Sequence, residues 1–251
     1  MSWIPADAWT TYVKRLSALN TKAAELMKRY IEANGYENTQ ALIAYAYGLA
    51  TKYGEASAAL SAQMYDAVAA LEGQYLPAAL PAETATYQTV AKTVQGVAKQ
   101  SQNTDMMANA IGRLVKQAGA DTTLQNALRD GAEFAWIPAG DTCAFCLTLA
   151  SRGWQRASRK AIKNGHAEHI HSNCDCTYAI RFSPSTRVRG YEPEKYLAMY
   201  EGADGSTPKQ KINALRREFY AENRETINAQ KRSAYEKRAE LNSSAAEEFD
   251  V

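Results

Sequence analysis

The chain has 251 residues, 46% hydrophobic and 22% charged, enough to bury a sizeable core and unlike disordered or fibrous sequences. Its 29 Lys and Arg against 27 Asp and Glu leave a formal charge of +2, which excludes a surface built throughout for nucleic acid and leaves only local basic patches. The least polar stretch, Gln40 to Thr51, is about a dozen residues, short of the roughly 20 a membrane span needs, so no membrane contact is expected. The opening Met1-Ser-Trp-Ile-Pro-Ala-Asp7 lacks a basic start followed by an apolar run, so no secretory signal is expected and the chain is expected to act in the cytoplasm where it is made.

From Pro5 to about Asn34, Trp9, Val13, Leu16, Leu19, Leu26 and Tyr30 recur at helical steps, and Gly35 stands where a C-cap belongs. A second apolar series, Leu42, Tyr45, Leu49, Tyr53, Leu60, Met64 and Val68, predicts one long helix over 39–71 or two broken near Gly54. The prolines of Tyr75-Leu-Pro-Ala-Ala-Leu-Pro81 predict an extended link, after which helical pattern resumes from about Glu83 to Lys99. Two shorter helices are expected, Asp105 to Gln117 and Thr122 to Arg129, closed by turns at Ala118-Gly119 and Asp130-Gly131. The first 131 residues thus read as one helical region whose Tyr and Ala stripes pack helix on helix.

The texture changes at Ala132. Phe134-Ala-Trp-Ile-Pro138 and Thr177-Tyr-Ala-Ile-Arg-Phe182 read as strands, and Pro193 to Tyr200 as a brief helix. These fit a small α+β module over 132–208. From Lys209 a basic helical tail is expected to 251, carrying nine Lys and Arg against four Glu between Lys209 and Arg238. The tail repeats a motif, Ile212-Asn-Ala-Leu-Arg-Arg-Glu-Phe-Tyr220 and Ile227-Asn-Ala-Gln-Lys-Arg-Ser-Ala-Tyr235. It reads as a solvated face or as an arm for an acidic partner or for DNA phosphates. The fold class expected is therefore α+β, with a long helical N-terminal region, a metal-stabilised module and a basic helical tail.

All four cysteines and all three histidines fall between Cys143 and Cys176. In a reducing compartment such a cluster reads as a metal site before it reads as disulfides, and a Cys143–Cys146 bridge would close too small a loop to stabilise much. Cys143-Ala-Phe-Cys146 has the spacing that lets two thiolates reach one zinc ion. His166, His169, His171, Cys174 and Cys176 then oversupply the second half. The preferred set is Cys143, Cys146, His171 and Cys174, with Cys176 the rival of Cys174 and with His166 and His169 as spare members. Thiolate softness selects zinc, and four protein ligands would make it structural.

Catalytic readings fare less well. His-Ala-Glu-His lacks the H-E-x-x-H spacing of a zincin, and His166-Ala-Glu168 follows its C-x-x-C in the wrong order for a zinc deaminase. A zinc-dependent nuclease remains the alternative, with His169, His171 and Asn173 polarising water and a phosphate. A non-enzymatic protein is the expectation.

Gly140-Asp-Thr-Cys-Ala-Phe-Cys-Leu-Thr-Leu-Ala-Ser-Arg-Gly-Trp154 followed by His169-Ile-His-Ser-Asn-Cys-Asp-Cys-Thr-Tyr178 resembles the minor capsid, or head morphogenesis, proteins of tailed bacteriophages and prophages, the MuF-type family. The shared pattern is a C-x-x-C after an Asp-containing turn and a terminal H-x-x-C-x-C, here His171-Ser-Asn-Cys174-Asp-Cys176. The helical leader, with Tyr12-Val-Lys-Arg-Leu16 and Thr51-Lys-Tyr-Gly-Glu-Ala-Ser57, is similar to versions from prophages of Firmicutes. The resemblance implies a virion protein of few copies per head, acting in head assembly or DNA delivery, with the portal protein and the major capsid or scaffold protein as partners. Asp175 stands where such sequences often carry arginine, which weakens any phosphate contact by that loop.

Overall fold

The structure, a computed structural model, describes residues 3–139, 143–164 and 176–225, with the single positions 228, 229 and 232. Its order is β1 (Trp3–Ile4), α1 (Ala6–Asn34), α2 (Thr39–Leu71), α3 (Tyr87–Gln100), α4 (Thr104–Asp130), β2 (Glu133–Ile137), α5 (Ala144–Ala150), β3 (Gln155–Arg156), α6 (Arg159–Asn164), β4 (Thr177–Arg181), β5 (Arg187–Val188), α7 (Pro193–Gly202) and α8 (Pro208–Glu222). The chain is α+β: mostly helical, with a small antiparallel sheet.

Side-chain caps fix where the helices begin. Asn38 accepts from the Ala41 amide, Thr86 from Thr89 and Asn103 from Met106, each satisfying an amide that the first turn would otherwise leave without a partner. The predicted third helix starts at Tyr87 rather than Glu83, because Thr86 supplies that cap. The bundle core is Met27, Ile31, Leu42, Ile43, Val90, Val94, Met107 and Ile111, contributed by α1 to α4.

Of the two readings of 39–71 the single long helix is the one present, and the break expected at Ala118-Gly119 is absent. Residues 39–71 form one helix through Gly54, and 104–130 form one helix through Ala118-Gly119. Both glycines serve close approach instead of turning the chain. A Cβ at Gly119 would lie 2.6 Å from Ser57 Oγ and 2.8 Å from Ser61 Oγ, so only glycine lets α4 come this near α2. A Cβ at Gly54 would lie 2.9 Å from Thr84 Cγ2, on the link that crosses α2.

That link, expected from its prolines, is strapped down by side chains. The Ala79 amide donates to Asp66 Oδ1 (2.8 Å), the Leu80 amide to Asn126 Oδ1 (3.0 Å) and the Ala82 amide to Thr122 Oγ1 (2.9 Å), while Asn126 Nδ2 donates back to the Leu80 carbonyl (2.9 Å). These bonds replace the ladder a proline-containing segment cannot make.

The sheet has order β3-β2-β4, with Glu133 opposite Arg156 on one side and Arg181 on the other, and Ile137 opposite Thr177. Both long strands fall where β-branched and aromatic residues predicted them; β3 and the parallel β1–β5 pair, two residues each, carry no periodic signal. The sheet packs against α4 and α2, with α5 against β2. Phe134 and Trp136 meet Tyr178 edge to face at 5.8 and 4.7 Å between ring centres. Glu72, at the end of α2, ties the two regions: its carboxylate accepts the amides of Phe182 (3.1 Å) and Ser183 (2.6 Å).

The first part of the expected tail, α8, begins with a Thr207–Gln210 capping box. It buries Ala214 and Leu215 against Ala144, Leu147 and Ala203. Lys211 Nζ donates to the carbonyls of Tyr200, Glu201 and Ala203 at 3.3, 2.6 and 3.1 Å, closing the C-terminal end of α7. The second copy of the repeat lies almost wholly outside the described residues.

Candidate metal centre

Cys143 is the N-cap residue of α5, and its Sγ accepts the amide of Cys146 at 3.5 Å. The C-x-x-C turn is thus closed by an N–H to sulfur contact, the kind of outer bond that orients a thiolate ligand. Cys146 is fully buried and Cys143 half-buried.

The antiparallel register sets Cys176 at the end of the sheet where β2 finishes: β4 enters the ladder at Thr177, immediately after Cys176, opposite Ile137. Cys146 and Cys176 belong to one apolar cluster, with Cys143 and Phe145 packed on its edge. Burial raises the pKa of the Tyr178 and Tyr196 hydroxyls, reinforced at Tyr178 by Asp121 and at Tyr196 by Cys176 and Glu192. The phenols around the thiols therefore stay neutral and contribute packing rather than charge.

Among the described residues, no group of three or more His, Cys, Asp and Glu side chains is gathered closely enough to hold a metal ion. The donor chemistry of Cys143 and Cys146 fits half of a zinc site, with Cys176 in the same cluster. The other expected members, His171 and Cys174, lie outside the described residues, as do the spare His166 and His169 and the Glu168, Asn173 and Asp175 weighed beside them.

Sequence reasoning missed Lys116, a helical residue with no periodic mark. It is 7% exposed on α4, its Nζ stands 5.8 Å from the Trp136 ring centre, and it lines a small internal cavity with Asn20, Trp136, Cys176 and Thr177. A lysine so placed sets a positive charge beside the thiol end of the sheet. Only the three-dimensional register reveals it.

Residues 3–203 match the family described as VG15 protein, and since this is most of the chain, the chain belongs to that family. It is a family of viral gene products, which makes this a phage protein. No curated protein and no solved structure matches the chain. No helix among the described residues is long and apolar enough to cross a membrane.

Proposed function

We propose that this phage protein is a MuF-type minor head component, a structural protein in which a zinc ion staples the sheet module to its helices. The observation that carries the reading is the C-x-x-C turn at the start of α5, closed by the Cys146 amide on Cys143 Sγ, with Cys146 and Cys176 buried in the apolar cluster that also holds the short strands. Cys143 and Cys146 supply two ligands, and His171 with Cys174 or Cys176 supplies the rest. Four protein ligands close the coordination sphere, and the metal then ties the end of short strands to the loop that precedes α5.

The helical region and the α8 surface supply faces for the portal protein and the major capsid or scaffold protein, in the host cytoplasm during assembly and in the virion afterwards. The test is quantitative mass spectrometry of particles from an induced lysogen after density-gradient banding. The chain is expected to band with the major capsid protein at low, fixed copy number. Recovery only from the unbanded lysate would contradict the reading.

A further inference from the structure

The module's charge is distributed unevenly. The stretches 143–164 and 176–191 contain eight Lys and Arg and no Asp or Glu. One rung of the sheet organises several of these. Arg156 on β3 and Arg181 on β4 flank Glu133 on β2, side by side across three strands, a row on the order of 10 Å wide at the usual strand spacing. Arg181 Nε donates to Glu133 at 2.6 Å, and the Nη1 atoms of Arg181 and Arg187 both donate to the Pro184 carbonyl at 3.2 Å. Arg187 therefore extends the row, with Arg189 two residues on. Arg159 and Lys160 follow Arg156 by three and four residues, exposed in the first turn of α6.

The carboxylates on and behind the sheet are already committed, and Glu192 and Glu194 at the start of α7, which form no ion pair among the described residues, mark one edge of the row. Glu133 is held by Arg181, Glu72 by the Phe182 and Ser183 amides, and Asp130 by Arg129 and Tyr65. Arg156, Arg159, Lys160 and Arg189 are exposed and form no ion pair among the described residues. The cations outnumber their counter-charges where they face solvent.

We infer that this arginine row is a docking face for the phosphate backbone of duplex DNA. Two features select a phosphate backbone over an acidic protein. The cations are mostly arginine, whose planar fork matches phosphate oxygens in pairs. Among the described residues, no large apolar side chain of β2 to β5, α5 or α6 is exposed, the nearest in sequence being Leu128 and Leu197 on the neighbouring helices, so the elements that carry the row lack the apolar anchors at the centre of a protein–protein interface. Charge without apolar anchors gives binding that reads the backbone and ignores sequence. By contrast, the expected tail intersperses Glu218, Glu222 and Glu225 among its cations. The inference depends neither on the metal nor on the head-component reading.

The test is fluorescence anisotropy with a labelled 30-base-pair duplex of arbitrary sequence, titrated across a salt series. The full chain is compared with Arg156→Gln/Arg159→Gln/Arg189→Gln and with Arg216→Gln/Arg217→Gln on α8. The triple variant is expected to bind at least about tenfold more weakly near 0.1 M salt and to flatten the log–log salt slope by roughly 2.5 to 3, about 0.9 for each phosphate contact removed. The α8 variant is expected to bind like the parent. No binding by the parent, equal binding by the triple variant, loss confined to the α8 variant, or tighter capture of polyglutamate than of DNA would each overturn the inference. Zinc content and melting temperature measured on the same samples separate these outcomes from misfolding and from failure of the zinc staple.

Discussion

The helical region and the sheet module solve burial in different ways. In the first, α4 approaches α2 so closely that Gly119 is required against Ser57 and Ser61, and Gly54 admits the link at Thr84. Long helices with continuous internal hydrogen bonding carry this arrangement, and shape complementarity holds it. In the second, five-residue strands are buried at nearly every position and lean on aromatic rings, on Glu72 reaching over from α2, and on the proposed metal. The strands nonetheless share one apolar core with α2 and α4, through Tyr65, Val68, Leu124 and Ala127, while Met27, Leu42, Val90 and Ile111 form a separate core within the bundle. Disturbing a point attachment should therefore loosen the sheet module before it reaches the bundle's own core.

The largest effect is expected within the bundle. Gly119→Val drives a branched side chain into Ser57 and Ser61 and is expected to cost about 2–4 kcal/mol, read as a shift of the whole thermal transition monitored by helical circular dichroism. An unchanged transition would mean that α2 and α4 do not meet as described. Next comes the tie between the regions. Glu72→Ala leaves the Phe182 and Ser183 amides without their acceptor and is expected to cost about 1–3 kcal/mol. Its loss should appear first in tryptophan fluorescence, because Trp136 and Trp154 belong to the module cluster. Coincident loss of fluorescence and helical signal would show that the two regions unfold as one.

The smallest effect has the opposite sign. Gly48 lies on an exposed face of α2, where an added Cβ meets nothing within 4 Å. Gly48→Ala should raise stability by about 1 kcal/mol, in contrast to any enlargement at Gly119. Two glycines, one on each of the paired helices, then distinguish a site required by packing from one tolerated by the surface.

The legibility of the sequence follows the same division. Periodicity alone locates α1, α2 and α7 to within a few residues, because a helix repeats its signal every turn. It leaves a break at Gly54 open and places one wrongly at Gly119, since local sequence does not distinguish a glycine that ends a helix from one that admits a neighbour. The strands at Glu133–Ile137 and Thr177–Arg181 are legible from composition, whereas β1, β3 and β5 exist only through long-range pairing. At the candidate site, Cys143, Cys146 and Cys176 are recognisable by spacing, yet the burial of Cys146 and Cys176 in one apolar cluster depends on the β2–β4 register. The buried Lys116 beside Trp136 and the arginine row around Glu133 depend on it equally.

The most direct measurement is metal content by elemental mass spectrometry on the purified chain, followed by a melt with and without a strong chelator. One zinc per chain is expected. Chelation, like Cys146→Ser, should collapse the tryptophan signal at a markedly lower temperature while helical dichroism persists. In companion variants, retention of zinc by Cys176→Ser and its loss from Cys174→Ser would assign the fourth ligand to Cys174, and the reverse would assign it to Cys176. A chain without zinc, whose melting is indifferent both to chelator and to Cys146→Ser, would contradict the metal staple outright.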